Sequence, residues 1–515
     1  MTTGSIGKDI NVQGIEGLGF GGFSSNRLVT NLHTHTLNFN DNISDGVRLD
    51  AVVGYEYQKF DFSGFGFGGF GFDDTTENVD LTLSLQNSNN DNRQTFSFGP
   101  PITELQSFFG RVNLGFGDNF NVTGTLRADG STRFGDNNRY GIFPSFAVAY
   151  NLGDIVGADL FDNLKIRAGW GLTGNQEFPA GSALDRFGLQ GNQGISQENP
   201  GNPDLRWEQS STINIGLDFG LFDYRLSGTI DYYNRVTTDL LLDPFVSEPG
   251  PPLRAWRNIE GELVNSGVEL GLNAFLIQND DFGLNVGFNV SFLSNELRNY
   301  DGADILTGNL FGQGTSGAFV QVHTNDAPLN TYLLRDFQGL EEGLSVFGND
   351  GNPELIEADP NADVITGLSV GINSGGFNFG MNWNGAFGHS LYNNTAQSVI
   401  PIGNLGSRNI DASLITPGSL EDTSNPISSS TRYLESGNFI KLANATLSYS
   451  LGEISEFSDI TLSLTGQNIL LITDYTGFDP EVNTVNLRNG IPSSGIEYIP
   501  YPSARTFLIG LNASF

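Results

Sequence analysis

The 515-residue chain holds 24 basic and 58 acidic side chains, a formal net charge of −34, with 67 glycines, 40 phenylalanines and no cysteine. That balance excludes general nucleic-acid binding, which sets cations against phosphate, and excludes a polybasic membrane-surface protein. The lack of cysteine removes disulfides, thiol catalysis and thiolate zinc sites. With no run of about 18 apolar residues, a helical membrane protein is excluded too.

Taken from the start, Met1 to Ser5 shows no basic region leading into an apolar core, so no secretory signal is visible. The chain is expected to lack its natural beginning, with 1–29 as the remnant of an outer loop. His33 and His35 share one face of the first predicted strand. Two ligands without a third are rim histidines before they are a metal site, and no metal or cofactor is predicted. The run from Phe62 to Phe72 alternates Phe with Gly. It reads as a flexible loop tip, ahead of an aromatic surface for sugars or a partner protein.

Beyond residue 104 one pattern repeats. Phe108, Gly110, Val112 and Leu114 alternate with Phe109, Arg111 and Asn113, and Phe120, Val122, Leu126 and Ala128 alternate with Asn121, Thr123, Thr125 and Arg127. The rule returns at 164–172, 213–219 and 282–292. It ends the chain, where Phe507, Ile509, Leu511 and Phe515 face one way. Period-2 patterning of this length is strand. The opposite face is Gly, Asn and Ser rather than Lys and Glu, as suits a lumen better than the wet face of a sandwich. A last strand closing on an aromatic is the assembly signal of outer-membrane barrels.

The predicted strands lie near 30–40, 46–60, 105–116, 119–129, 142–151, 163–173, 206–220, 224–242, 262–278, 282–296, 317–324, 329–338, 364–373, 377–388, 437–451, 459–472 and 503–515. Tight turns near 117–118, 221–223, 279–281 and 374–376 alternate with long Gly/Pro/Asn/Asp-rich connections: 61–104, 174–205, 243–261, 297–316, 339–363, 389–436 and 473–502. Short turns on one rim and long loops on the other are the layout of an antiparallel transmembrane β-barrel. An odd count of about 17 strands does not close, because single-chain barrels normally have even strand numbers. The expectation is an all-β, incomplete barrel over 30–515. Only four lysines occur (Lys8, Lys59, Lys165 and Lys441). The acidity fits a saline habitat and acidic outer loops equally. No Ser-His-Asp order, HExxH or phosphate-binding glycine loop occurs, so no catalytic residue is named and no enzyme is expected.

Several blocks, in order, resemble the SusC/RagA-type TonB-dependent outer-membrane transporters. They begin with Phe109-Gly110-Arg111-Val112-Asn113 and with the stretch from Gly124 to Gly135, which holds Arg127, Asp129, Arg133 and Phe134. Asn138, Arg139 and Pro144 follow, then Gly174 and Asn175, then Asn202, Pro203 and Trp207. Asn468, Asp479-Pro480-Glu481 and Tyr501-Pro502 with Arg505 complete the series. The resemblance runs from about Asn26 to the C-terminus and implies a barrel of about 22 strands with a plugged lumen. It also implies nutrient import, of oligosaccharides or peptides, driven by TonB through an N-terminal plug that this sequence does not show. Implied partners are a SusD-like surface lipoprotein, the barrel-assembly machinery and outer-membrane lipid, with the C-terminus on the periplasmic side.

Loops 174–205, 243–261 and 389–436 are the candidate substrate chamber. Where the family often carries a calcium-type loop, this chain has Asn349-Asp350-Gly351-Asn352, with Asp359 and Asp363 beyond, too few carboxylates for a hard cation. Two other readings stand beside the importer: a plugless passive outer-membrane pore and a secreted β-rich glycan-binding protein.

Overall fold

The computed structural model describes residues 3–7, 19–72, 94–153, 161–189, 195–243, 245–246, 253–312, 315, 317–406, 409–410, 412–415, 421–452, 459–481, 483–484, 487–488 and 491–514. The alternation seen in the sequence becomes one antiparallel sheet of seventeen strands. These are β1 (Thr3–Gly7), β2 (Gly19–Ser44), β3 (Val47–Phe72), β4 (Gln94–Phe98), β5 (Thr103–Phe116), β6 (Phe120–Ser131), β7 (Tyr140–Asn151), β8 (Phe161–Asn175) and β9 (Glu208–Leu221). They continue with β10 (Leu226–Thr238), β11 (Glu262–Gln278), β12 (Phe282–Arg298), β13 (Val364–Ser374), β14 (Phe377–Phe387), β15 (Phe439–Ser450), β16 (Asp459–Thr473) and β17 (Thr506–Ser514). Each strand pairs with the next in the chain, except that β4 and β5 lie end to end along β3, so the sheet is sixteen strands wide.

Register decides which face each side chain takes. Leu462 pairs with Leu511 and Leu464 with Ile509, while Ser463 pairs with Gly510 on the other face. The outward row of the last strand is open to its surroundings: Phe507, Ile509 and Leu511 are 65%, 87% and 71% exposed. The same holds at Val112, Leu126, Ile142, Ile166, Ile215 and Phe292. A row of large exposed apolar side chains on strand after strand is the lipid-facing band of a barrel wall. Phe515 lies outside the described residues.

Connections obey the expected rhythm. Residues 375–376 join β13 to β14 as a two-residue turn, with Gly375 at φ 51° and Gly376 at φ 89°, the double positive φ that a tight hairpin requires. On the opposite rim run the long segments 176–207, 239–261, 299–363, 388–438 and 474–505.

Three expectations are corrected. The predicted strands 317–324 and 329–338 are not in the wall, because β12 pairs directly with β13, from Phe282↔Ser374 to Phe292↔Val364. Phe319–His323 and Thr331–Leu334 instead form a four-stranded sheet with Ile305–Asn309 and Glu354–Leu355 inside one outer connection. Their residues are buried on both faces, which no lipid-facing strand can be. The total of seventeen strands is met only because β1 and β4 take the place of those two. Next, the Phe-Gly run expected to be a loop tip continues β3, and residues 19–29, expected as a loop remnant, continue β2. At 26 residues each, these two strands outrun the roughly 9–11 residues that cross a bilayer. Among the described residues, β17 pairs only with β16, and β2 beyond Ser24 pairs only with β3.

The two faces predict opposite responses to the same substitution. Leu464→Arg is expected to cost about 2–4 kcal/mol near the bilayer midplane, whereas Ser463→Arg on the inner face is tolerated. Urea unfolding in lipid vesicles, followed by heat-modifiable gel mobility, measures the difference.

Candidate functional site

The inner face begins with charge. On β3 to β6, Arg127 Nε donates to both carboxylate oxygens of Asp129 at 2.8 Å and Nη2 donates to Ser107 Oγ at 2.9 Å. Its guanidinium lies 5.4 Å over the Phe109 ring and 3.7 Å from Glu56. Phe109 in turn lies across Gly54, where any Cβ would overlap the ring. Two strands on, Arg167 of β8 reaches Asp218 at 2.9 Å and Asp231 at 2.7 Å. Asp231 is on β10, with all of β9 between them. The intervening residue is Gly216, paired with Arg167 on one side and Asp231 on the other. A Cβ there would stand 2.5 Å from Arg167 Cζ and 2.6 Å from Asp231 Oδ1. The glycine is the gap through which the ion pair spans three strands.

Above the wall, the long connections pack into bodies with cores of their own. The first gathers Phe134, Phe143, Phe178, Leu205, Trp207 and Leu241. Phe134 meets Trp207 at 4.7 Å and Phe178 at 5.1 Å, and Phe143 meets Trp207 edge-on at 5.4 Å. Gly174 makes room for the Phe143 ring. Arg133 Nη1 donates to the carbonyls of Gln176 (3.0 Å) and Phe178 (2.9 Å), Asn138 donates to Asp204 O, and Asn202 to Trp256 O. Asn175 donates to Glu208, and Trp207 Nε1 donates to Arg139 O. Pro144 lies in β7 one residue before pairing with β8 begins at Ser145, so its missing N–H leaves no gap in that ladder. Eight of the nineteen predicted motif residues therefore meet here, as packing and clamps among the loops and the strand ends.

A second body draws on three connections: Leu310, Val320, Tyr332 and Leu334 from 299–363, Tyr392 and Tyr433 from 388–438, and Ile496 from 474–505. Burial pushes the Tyr332 and Tyr392 hydroxyls well above the usual tyrosine range, so they stay protonated and donate. Tyr332 lies 3.0 Å from the carbonyls of Ser390 and Gly495, and Tyr392 donates to Gln397 at 3.0 Å. Buried Glu497 accepts from Phe478 N at 2.8 Å and Tyr475 Oη at 3.1 Å. Lys441 of β15 pins this body to the wall, with Nζ 3.3 Å from Asp479 and 2.5 Å from Glu481. His389 is buried with Nδ1 unpartnered. Burial lowers its pKa from 6.5 against the opposing pull of Asp359 and Asp363. Burial raises that of Asp359, against its bonds from Asn361.

Among the described residues, the inner side opens into recesses of which three stand out. One of about 340 Å³ is lined by Arg48, Asp50, Arg111 and Asn113. Another of about 360 Å³ lies under the second body among Tyr233, Asn265, Asn295, Asp359 and Asp363. The third, of about 350 Å³, is apolar, between Phe60, Phe62, Pro101 and Pro179 with Arg133 at its edge.

Other predicted residues are not brought together. Tyr501 is 94% exposed and Pro502 is exposed. Asn468, at φ 51°, donates to Ala504 O while Arg505 donates to Asn468 O, which shapes the bend before β17. Residues 349–351 form one turn at φ 50°, 52° and 77°, and no group of three or more potential metal ligands occurs among the described residues. His33 and His35 are exposed, with His33 stacked on Tyr57. The clamp of Arg167 on Asp218 and Asp231, and the tyrosine core, were missed from sequence. Their members lie tens of residues apart, and Gly216 looks like any other strand glycine.

An apolar outer face, a polar inner face and loops on one rim define a transmembrane β-barrel wall. Residues 7–469 match the TonB dependent receptor-like β-barrel family, and the chain belongs to it. It is 30% identical to TonB-dependent receptor P3 of Formosa agariphila over 465 residues, 80% of this chain and 46% of that protein. To TonB-dependent receptor SusC of Bacteroides thetaiotaomicron it is 28% identical over 523 residues, 90% and 48% respectively. Among solved structures, the RagAB peptide transporter shares the fold at a TM-score of 0.81 and 23% identity, over 97% of this chain and 56% of that one. The chain spans about half the length of the curated relatives it matches. These relatives are receptors and transporters, not enzymes.

Gly216→Val is expected to break the Arg167–Asp231 pair and lower wall stability by about 0.5–1 kcal/mol, a modest figure because Arg167 is partly exposed. Urea unfolding checks it. Trp207→Ala is expected to cost the first body about 3–5 kcal/mol while the wall stays folded, seen as new protease cleavage confined to 176–205. His389 is held neutral, so it costs the native state nothing above pH 6.5 and destabilises it increasingly as pH falls below that value. Comparing proteolysis of the second body at pH 8 and pH 5 reads this loss, which His389→Gln is expected to remove.

Proposed function

We propose that this chain is the C-terminal barrel part, over about 30–515, of a TonB-dependent importer of the SusC/RagA kind. It takes up nutrients such as oligosaccharides or peptides together with a SusD-like surface lipoprotein. A plug encoded outside these residues fills the lumen and receives the TonB pull, and the short turns and C-terminus face the periplasm. The barrel-assembly machinery inserts it through the strand bearing Phe507, Ile509, Leu511 and Phe515. One observation carries the reading: over 97% of its length the chain shares the fold of the RagAB transporter, at a TM-score of 0.81. TonB dependence is taken from the TonB-dependent receptors among its relatives, and peptide transport is a property of the RagAB transporter. Among the described residues β2 beyond Ser24 pairs only with β3 and β17 only with β16, and at these two edges further strands close the wall.

The test is a tagged copy at the natural locus. Expected are outer-membrane fractionation, co-purification of a lipoprotein and uptake that stops when TonB is deleted. Uptake that continues without TonB, with steady conductance in planar bilayers, would sink this reading in favour of a passive pore. A detergent-free soluble monomer would leave only a secreted binding protein.

A further inference from the structure

The inner wall is not uniform. From β3 to β11 it carries ionisable side chains, and most are tied to one another: Arg111 to Asp50, Arg127 to Asp129, and Arg167 to Asp218 and Asp231. From β12 to β17 the inner positions change character. They hold Asn285, Asn289, Ser369, Asn382, Thr446 and Ser463, interspersed with glycines. The ionisable residues at inner positions of this half stand at its rims. Lys441 is at the loop end, sequestered by Asp479 and Glu481, and Asp459 is the first residue of β16 at the short-turn end.

The amides of this half lie flush with the wall. Asn285 rests across Gly371 and Asn289 across Gly367. Some bond among themselves, as Asn382 does with Asn444 at 2.8 Å and Thr446 with Thr465 at 3.0 Å. The side-chain amides of Asn285, Asn289, Asn373 and Asn378 have no hydrogen-bond partner among the described residues. Each offers two donors and an acceptor to whatever fills the lumen.

We propose that the half from β12 to β17 is the track along which an uncharged, hydroxyl-rich solute crosses the wall, while the charged half serves as the fixed frame. The proposal rests on the importer reading and deepens it. Hydroxyls match amides and serine or threonine hydroxyls as both donors and acceptors. A series of similar, individually weak bonds lets a solute enter one site and leave for the next, which a buried ion pair would prevent. Between its rims this half offers a charged solute no counter-ion, and on the other half most charges are already paired.

These 515 residues hold no cysteine, and any cysteine elsewhere in the complete protein is first replaced by serine. Single cysteines are placed in the complete protein in outer-membrane vesicles: Asn289→Cys, Asn382→Cys and Thr446→Cys on the track, Asn113→Cys and Thr212→Cys on the frame, and Leu464→Cys on the lipid side. A water-soluble thiol reagent reads each one. The probes are neutral oligosaccharide mixtures from starch, xylan, mannan and laminarin, with oligogalacturonides as the charged comparison. At about ten times its Kd, a neutral mixture is expected to slow labelling of the track positions about tenfold and leave the frame unchanged. Equal protection of both halves, protection by oligogalacturonides alone, or none by any mixture overturns the proposal. So do track cysteines that are unreactive before sugar is added, which would assign that half to polypeptide packing. If Leu464→Cys labels as fast as the inner positions, the membrane reading itself fails. If it stays shielded while the sugars do nothing, only the track is lost.

Discussion

Everything in this protein depends on where its strands put their apolar side chains. In hydrocarbon no water is present to satisfy backbone N–H and C=O groups, so a strand survives only in an unbroken ladder with its neighbours. The sheet supplies that ladder from β2 to β17 and turns its apolar row outward. With that row facing lipid, the wall has no hydrophobic core behind it. Its inner face is held by ion pairs and by amides lying over glycines.

The hydrophobic core has moved to the rim. Nearly all the fully buried apolar side chains, Tyr332, Tyr392, Leu205 and Val320 among them, belong to the long connections. Segments of this length and composition normally stay loose. Here each is folded against two others, by aromatic contacts around Trp207 in one body and by buried tyrosines in the other. The Lys441–Asp479–Glu481 group and the clamps of Arg133 and Asn175 then fix these bodies to the strand ends. Loops packed in this way keep their shape.

Charge follows the same economy. A net charge of −34 would fill a lumen with repulsion if it were spread over the inner face. Instead the inner carboxylates of Asp129, Asp218 and Asp231 are each held by an arginine, and the half-wall beyond β11 is almost free of charge. The glycines share this work. Gly216 admits the arginine–carboxylate pair across a whole strand, and Gly367 and Gly371 let the amides of Asn289 and Asn285 lie flat.

The sequence by itself determined the wall. A period of two residues is local, and fifteen of the predicted strands stand in the sheet close to their expected places. The turns were equally legible, because Gly375-Gly376 declares its own backbone. Tertiary structure decided what local pattern cannot carry. Val320-Gln321-Val322 and Tyr332-Leu333-Leu334 read as wall strands, yet they are buried on both faces because residues more than a hundred positions away cover them. The Phe-Gly run reads as a loose tip, yet it is strand because β2 extends to pair with it. The motif residues were visible as a series, but their shared task was not. Arg133, Asn138, Asn175 and Trp207 act together only when loops distant in the chain meet over the same strand ends. Contact between distant segments is the one quantity that a period of two residues does not encode.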